Sequence, residues 1–278
     1  MSDWETKPIA KVFAGHNCIM AVTQTGETLQ KIQKPEFACK TPYWTRIQQI
    51  ALSHWVEGAA IGLVEDGTCL IAKKPIRNCC KIFCLDFDHI NETVKSWTDV
   101  VQVAASDAFF ALRSDGTVQY VSFSQRCQSE YEPIKAWKDV VSIQTGTQNS
   151  VFGITRNGTV LAAGGNTAHL QEKLHRYEHV ADLYPTGSEC EDVYLLKADG
   201  AVENLHSDCL SSVLHAKAKK LEGHFAYHVF ALTEDKQIYK LTSPNKGSVF
   251  PEERPIVSFA VGDWNYSDPF VIALAESL

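Results

Sequence analysis

A short pattern of apolar residues recurs seven times along this chain of 278 residues. Each copy begins with two apolar residues three positions apart. The first residue of the pair falls at positions 9, 47, 100, 140, 180, 218 and 256, so the intervals are 38, 53, 40, 40, 38 and 38 residues. A fixed period of this length indicates a protein built from repeated structural units. The pairs are Ile9/Val12, Ile47/Ile50, Val100/Val103, Val140/Ile143, Val180/Leu183, Ala218/Leu221 and Ile256/Phe259.

A second apolar segment and a turn follow each pair. In the fourth copy the segment ends at Gly153-Ile154 and Asn157-Gly158 comes next; Asn-Gly between apolar segments is a strong hairpin signal. The sixth copy has Lys236 at the glycine position. We therefore expect a hairpin in each repeat, closed by a primed turn in which both central residues have positive φ. The related turns are Thr25-Gly26, Asp66-Gly67, Asp115-Gly116 and Asp199-Gly200.

Seven units, each with a strand followed by a hairpin, predict an all-β protein. A linear array needs capping units, and the first and last copies look like the middle ones, so we expect a closed seven-bladed β-propeller formed as one domain by residues 1–278. Two β-sandwiches are the alternative, but sandwiches impose no fixed period. The seventh copy reaches the end of the sequence at its turn. Either residues 1–8 supply an edge strand or the edge of that blade is open.

Three further structural expectations come from local composition. Residues 169–179 and 207–220 have helix-forming sequences between blades. The small residues Gly153, Ala111 and Ala231 are expected where strands converge on the propeller axis.

The repeats resemble those of the regulator of chromosome condensation family. The resemblance lies in the pattern V-x-x-I, a small residue, a loop and A-L-x-x-D-G-x-V, which is clearest in residues 100–121 and 140–166. The compact units are most similar to bacterial members, which include a β-lactamase-inhibiting protein. The resemblance implies a propeller that binds another protein. The glycine-rich tail of the family's repeat is represented only by Gly164-Gly165-Asn166, and no residue here carries the nucleotide-exchange activity of the eukaryotic member.

Composition restricts the partner and the compartment. The net charge of -7 argues against nucleic acid and anionic membranes, which both require a basic surface. Nine scattered cysteines, no apolar segment long enough to span a membrane and a polar start of the sequence favour a cytoplasmic protein. We also expect a monomer without a cofactor.

The loops between the first and second strands of the repeats are the predicted interaction site. They differ in length, with the shortest step from Val103 to Ala111 and the longest from Phe259 to Ala273. Exposed aromatic residues among polar groups are typical of protein interfaces, and the acidic residues favour a partner with a basic patch. The predicted partner-binding residues are His54, Trp55, Glu57, Asp107, Glu189, Glu191, Phe225, Tyr227, Asp263, Trp264 and Tyr266.

Other functional hypotheses remain open. Ring-equivalent loop residues, including His16, His54, Asp107, His224 and Asp263, suggest an enzyme or a metal- or ligand-binding propeller, although their spacing matches no familiar metal motif. Cys79, Cys80, Cys84 and His89 lie in an insertion at residues 73–96, and small buried residues explain them better than a zinc site. A proteinaceous enzyme inhibitor is the third possibility. The sequence has none of the common catalytic motifs.

Overall fold

The computed structural model of this chain contains seven separate antiparallel sheets arranged as blades. In the part of the chain that the structure describes, six blades have three strands and the seventh has two. The structure describes residues 3–15, 17–32, 44–53, 59–72, 87–124, 128–146, 149–165, 167–186, 192–205, 216–224, 228–241, 255–264 and 268–275. The all-β, seven-bladed architecture predicted from the repeat is confirmed.

The strands follow the repeat in strict chain order. Blades 1 to 3 contain β1 Ile9–Gly15, β2 Cys18–Thr23, β3 Thr28–Ile32, β4 Ile47–Leu52, β5 Ala60–Val64, β6 Cys69–Ala72, β7 Val100–Ala105, β8 Ala108–Arg113 and β9 Val118–Ser122. Blades 4 to 7 contain β10 Val140–Thr145, β11 Val151–Thr155, β12 Val160–Ala163, β13 Val180–Thr186, β14 Asp192–Lys197, β15 Val202–Asn204, β16 Ala218–His224, β17 His228–Thr233, β18 Ile238–Lys240, β19 Ile256–Trp264 and β20 Asp268–Ala275.

Four helical segments lie outside the blades in the described residues: α1 Asp3–Thr6, α2 Phe87–Lys95, a 3-10 helix at Ser129–Ala136 and α3 Ala168–Leu174. Helix α3 confirms the prediction for residues 169–179 in its first part. The prediction for 207–220 is wrong at its end, where β16 begins at Ala218, and its residues 207–215 lie outside the described structure. Helix α2 was not predicted, although Phe87, Ile90 and Val94 have helical spacing and are buried.

The ring closes between blade 7 and blade 1. A Cβ added to Gly262 of β19 would lie 2.7 Å from the carbonyl oxygen of Gly15 and 3.0 Å from Ala14 Cβ, both in β1. Val12, Ala21, Leu29 and Ala260 form an apolar cluster shared by these blades. The first and last repeats are therefore direct neighbours, as a closed propeller requires.

A β-bulge in every first strand explains the three-residue spacing of the apolar pairs. In blade 4, Val140 pairs with Thr155 while Ser142 pairs with Ile154, so Val141 is an extra residue. The same shift occurs in all seven blades. An extra residue reverses the alternation of a strand, so residues three apart face the same side. The bulged residue is exposed each time: Ala10, Gln48, Val101, Val141, Ala181, Lys219 and Val257.

The hairpin turns are present, but the predicted primed geometry is wrong. Gly158 has a φ of 79° and donates its N–H to the Thr155 carbonyl at 2.8 Å, whereas Asn157 does not have positive φ. These features define a type I turn followed by a left-handed glycine. Asn157 instead uses its side-chain oxygen to accept the Thr159 N–H at 3.2 Å.

The turn glycine also joins adjacent blades. The Gly158 carbonyl accepts the N–H of Val180 in blade 5 at 3.1 Å. A Cβ on Gly158 would lie 2.6 Å from the Cα of His179, so close approach adds to the demand for glycine. In the same way, the carbonyl oxygen of the equivalent turn residue accepts an N–H from the first strand of the next blade at Gly67, Gly116, Gly200 and Lys236.

The small residues of the second strands have a different role from the one predicted. A Cβ on Gly153 would lie 2.9 Å from Cζ3 of Trp137, and a Cβ on Gly62 would lie 2.8 Å from the same atom of Trp44. Each tryptophan precedes the first strand of its own blade and packs across the sheet. The expected close approach at the axis involves first-strand glycines instead, as Gly15 shows through its contact with Leu52 of blade 2.

Blade 7 differs from the other six. Its two strands pair only with each other in the described structure, and residues 3–6 form α1 rather than the expected edge strand. Among the described residues no strand lies beside the outer edge of β20, which agrees with the alternative stated from the sequence, an open edge on the seventh blade. Phe270–Ala275 are all half-buried, whereas Val151–Ile154 of blade 4 are fully buried.

Candidate functional site

The loops between first and second strands open onto one face of the ring, which we call the loop face. All first strands run in the same direction along the channel, so their last residues reach this face together. The loops follow Gly15, Leu52, Ala105, Thr145, Thr186, His224 and Trp264. The hairpin turns lie at the opposite, turn face.

Most of the predicted interaction residues lie outside the described structure. His54, Trp55 and Glu57 belong to the loop after β4, and Glu189 and Glu191 to the loop after β13. Phe225, Tyr227 and Tyr266 belong to the loops of blades 6 and 7. Asp263 and Trp264 are the last two residues of β19, at its loop-face end, and only their backbone is described. These ten residues stay a prediction as an interaction site.

Asp107 is the predicted interface residue whose side chain lies in the described structure, and its predicted exposure is wrong. Its side chain is buried and accepts hydrogen bonds from the hydroxyls of Tyr131 and Ser106. Its carbonyl accepts the N–H of Phe123 at 2.9 Å. The loop of blade 3 is so short that Asp107 turns inward and connects the sheet to the 3-10 helix.

The glycine-rich remnant after β12 supports the same helix. Gly164 has a φ of 80°, and its N–H donates to the Glu130 carbonyl at 3.1 Å. A Cβ there would lie 2.5 Å from Cε1 of Tyr131. The Gly165 N–H reaches the Glu130 carboxylate at 3.2 Å. This motif therefore positions Tyr131 beneath Asp107 and has a structural role.

Within the described residues, strand pairing in blade 7 extends farther toward the loop face than in the other blades. Cross-strand pairing continues from Phe259 to Trp264, whereas in blade 4 the last described backbone bond joins Gly146 to Ser150, three residues after Ile143. Blades 1, 5 and 6 reach three residues beyond the equivalent apolar position. At about 3.3 Å per residue, the two additional residues lengthen this hairpin by roughly 7 Å. The long interval between Phe259 and Ala273 noted in the sequence therefore consists mainly of strand residues, and not of a long loop.

The centre of the ring is a polar channel with a volume of about 660 Å³. Side chains of the first strands close gaps between blades there. The Gln49 side chain of blade 2 accepts the Val103 N–H at 2.9 Å, and Gln102 of blade 3 both accepts from and donates to the backbone of Ile143. Asp182 of blade 5 accepts the Leu221 N–H at 2.9 Å. These bonds satisfy the inner strand edges.

A charged cluster lines the channel between blades 5 and 6. Loss of hydration raises the pKa of Asp182 to about 6, with the neighbouring Glu222 adding to the shift and two backbone N–H groups opposing it. Glu222 lies 2.5 Å from Lys220 Nζ and raises the pKa of that amine. Burial likewise raises the pKa of the Tyr184 hydroxyl. Lys220 also lies 5.8 Å from the ring centre of Phe259.

The described residues contain no group of three or more His, Cys, Asp or Glu side chains able to hold a metal ion. Cys79, Cys80, Cys84 and His16 are outside the described structure, and the side chain of His224 is not described. His89 is exposed on α2. The metal and catalytic hypotheses for these residues therefore stay predictions.

The sequence analysis missed three exposed apolar residues at the turn-face ends of first strands, two of which, Val101 and Val257, line the channel. Val101, Val141 and Val257 are 53%, 46% and 46% exposed, unlike nearly all large apolar residues of the blades. Each is the bulged residue of its first strand. The signal in the sequence is the second residue of these three repeats, which follows the buried first residue of the apolar pair and precedes a half-buried polar residue.

Comparison with solved structures supports an RCC1-like propeller fold. Human WBSCR16 is similar with a TM-score of 0.65 and 12% identity, over 98% of this chain and 87% of that chain. Yeast RCC1 (Prp20), bound to Kap60, is similar with a TM-score of 0.64 and 12% identity, over 97% and 81% of the two chains. The propeller domain of Cps50 (Swd1) from Myceliophteria thermophila gives 0.53 and 9%, over 98% of each.

Sequence comparison adds nothing to this assignment. No model of a known protein family matches the chain, and no curated protein matches it. At these identities the structural likeness shows the fold alone. In the described part of the chain, no helix has the length and apolarity needed to cross a bilayer.

Proposed function

We propose that this protein is an interaction module that binds a partner protein through its loop face. The carrying observation is the blade 7 hairpin, which continues through Asp263 and Trp264 beyond the strands of its neighbours. A projecting hairpin presents side chains that a flat ring face does not. The strands β4, β13 and β16 end on the same face, and the loops that follow them in the sequence contain most of the remaining predicted residues.

The sequence of these loops favours a basic partner. Glu57, Glu189, Glu191 and Asp263 provide negative charge, and the whole chain has a net charge of -7. Aromatic residues such as Trp55 and Trp264 are the side chains that most often dominate protein interfaces. Charge complementarity would accelerate association and orient the partner, while the aromatic residues would supply most of the affinity.

Known propellers of this fold make the proposal reasonable. One similar structure contains yeast RCC1 (Prp20) bound to Kap60, and another concerns Prp20p and its binding to Gsp1p and histones. The identity of 12% carries neither partner over to this chain. We further propose that the protein is a cytoplasmic monomer. We also propose that its repeats are of the compact type found in bacterial members of the RCC1-like family.

The test is a comparative pull-down followed by mass spectrometry. The Trp55→Ala/Trp264→Ala double variant should lose a partner that the wild-type protein captures reproducibly. A matched Val101→Ala/Val141→Ala variant truncates exposed residues at the turn-face ends of two first strands, away from the loop face, and should retain it. Thermal unfolding of both variants confirms that each is folded. Capture of the same partner by the Trp55→Ala/Trp264→Ala protein would remove the loop-face proposal.

A further inference from the structure

The outer edge of β20 is the one second-strand edge without a neighbouring strand in the described residues. In blades 1 to 6 the second strand lies between two others, as in the order β10-β11-β12. In blade 7, β20 pairs with β19 alone. This edge is distinct from the loop face, and its binding capacity does not depend on the function proposed above.

Equivalent blades show which backbone groups this edge presents. The carbonyl oxygens of Val193 in β14 and Val229 in β17 accept N–H groups from the third-strand side, and the Thr233 N–H bonds the Gln237 carbonyl on that side. The pairing registers make Val271 and Ala275 the corresponding residues of blade 7. Alternate residues of a strand face the same side, so Ala273 belongs to the same edge. An unpaired row of such groups is a template for another strand.

The side chains beside this edge are apolar and incompletely covered. Val271, Ala273 and Ala275 pack against the cluster formed by blades 6 and 7, and Ile272 packs against the cluster on the blade 1 side. All four are half-buried, whereas Val229 and Ala231 of blade 6 are fully buried beneath a third strand. A strand added to β20 would bury further apolar area on both sides of blade 7.

The third strands of the other blades define the chemistry of a suitable strand. Five of them carry an apolar residue opposite the aliphatic position of the second strand and another apolar residue three positions later. The first residue is buried in every case, and the second is buried or packs against the adjacent cluster. These pairs are Cys69/Ala72, Val118/Val121, Val160/Ala163, Val202/Leu205 and Ile238/Leu241.

We propose that β20 binds an extended segment of a partner protein as the third strand of blade 7. The segment runs antiparallel to β20 and has the pattern Val or Ile, two variable residues, then Ala, Val or Leu. Its β-branched residue lies opposite Leu274, as Val118 lies opposite Leu112 in blade 3. Backbone bonds provide affinity and the two apolar side chains provide selectivity, which is the general logic of strand addition.

A synthetic peptide with the sequence of residues 116–123, GTVQYVSF, tests this directly on the full-length protein. Fluorescence anisotropy of a labelled peptide measures affinity, and amide hydrogen exchange locates the site. We expect saturable binding that slows exchange at Ala273 and Ala275. Replacing both valines of the peptide by aspartate should weaken binding about tenfold or more. Absence of binding, or protection confined to other strands, would overturn the proposal.

Backbone methylation separates strand addition from simple apolar adhesion. In blade 3, the backbone groups of Thr117 and Phe123 bond to the second strand. Alternate residues of a strand face the same side, so the backbone N–H of Gln119 also points toward the second strand and that of Tyr120 points away from it. A peptide N-methylated at its glutamine should lose about tenfold in affinity, and one methylated at its tyrosine should change by less than about threefold. Equal losses from the two peptides would contradict a backbone-paired complex.

A protein variant provides the reciprocal test. Ala273→Pro removes an outward N–H and leaves the pairing side toward β19 intact, a position where an edge strand tolerates proline. The variant should bind the unmodified peptide about tenfold more weakly at an unchanged melting temperature. Unchanged affinity would contradict the proposal, and so would a concentration-dependent dimer of the wild-type protein that protects the β20 amides. If the variant unfolds, the methylated peptides decide the question on the wild-type protein.

Discussion

Blade 4 and blade 7 are built from the same repeat but end in different structures. Both contain the bulged first strand and a buried apolar pair, Val140/Ile143 in one and Ile256/Phe259 in the other. Blade 4 then adds β12 and a tryptophan that packs on Gly153. Blade 7 has β20 as its last strand in the described residues and a longer hairpin at the loop face.

The difference separates what closes the ring from what is available for binding. The inner strands carry the bulge and the interblade contacts in all seven blades, so blade 7 meets its neighbours through β19 even though the described residues give it only two strands. The outer part of a blade completes its apolar core and covers its edge. Blade 7 therefore combines an inner strand that closes the ring with an outer strand whose apolar side chains are only half-buried.

The largest predicted effect compares the aliphatic residues of the second strands. Ile154 is 2% exposed, and Ile154→Ala should lower the free energy of unfolding by about 2–5 kcal/mol because it leaves a cavity. Leu274 is half-buried, so Leu274→Ala should cost only about 1–2 kcal/mol. Urea unfolding of both variants measures the contrast. Equal losses would mean that the outer half of blade 7 is as well packed as that of blade 4.

A second pair of variants tests the tryptophan contact. Gly153→Val places side-chain atoms against Trp137 and should destabilise the protein by about 1–3 kcal/mol through overpacking. Ala273→Val at the equivalent position of blade 7 should change stability by less than about 0.5 kcal/mol, since the sequence has Glu253 where blade 4 has the tryptophan. Calorimetric melting of both proteins measures the difference. A similar loss from Ala273→Val would contradict the contrast.

The channel offers a smaller, pH-dependent comparison between blades. Blades 2 and 3 bridge to their neighbours through glutamine, and blade 5 uses Asp182. The pKa of Asp182 is raised to about 6 from 3.8, so the folded protein holds this proton more tightly than the unfolded chain. Its stabilising contribution is complete below pH 3.8 and disappears as the pH rises through 6. We expect a contribution of about 1–2 kcal/mol, since the Asp182 side chain is half-buried and solvent screens part of its charge.

Asp182→Gln makes blade 5 resemble its glutamine-bearing neighbours and isolates this effect. The difference in unfolding free energy between wild type and variant should change by that amount between pH 7 and pH 4, in favour of the wild type at acidic pH. Urea titrations at several pH values measure it. A constant difference across the range would show that Asp182 does not carry the expected proton linkage.

The smallest predicted effect concerns the hairpin turn of blade 6, which lacks the glycine of blades 1 to 5. Lys236 occupies the left-handed position with a φ of 62°, where blades 1 to 5 have glycine. Lys236→Gly should raise the free energy of unfolding by about 0.5–1 kcal/mol, because relief of backbone strain exceeds the entropy that glycine adds to the unfolded chain. Thermal unfolding checks the sign. A destabilised variant would show that Lys236 side-chain interactions outweigh that strain.

The architecture could be predicted from the sequence because each repeat carries the local signals of one blade. The apolar pairs, the turn glycines and the fixed period predicted seven blades, and the structure has them. The three-residue spacing could also have predicted the bulge, since strict alternation would put Val140 and Ile143 on opposite faces. The partner of Gly153 was harder to infer, because Trp137 reaches it only after the sheet has folded.

Prediction of the site was limited because the number of residues between two apolar positions does not show how many belong to the strands and how many to the loop. A long step from Phe259 to Ala273 is compatible with either a long loop or a long hairpin, and pairing across the sheet decides between them. Asp107 looked like its ring equivalents in sequence, but Tyr131 from the next interblade segment covers it. Contacts of this kind depend on how neighbouring blades meet.

Amide hydrogen exchange of the free protein tests the contrast between blades most directly. In blade 4, all amides from Val151 to Ile154 should exchange slowly, because β11 is buried between two strands. In blade 7, the inward-facing amides of Ile272 and Leu274 should be slow and the outward-facing amides of Ala273 and Ala275 fast. Uniformly slow exchange along β20 would mean that a third strand already covers its edge, which contradicts both the open blade and the binding site assigned to it.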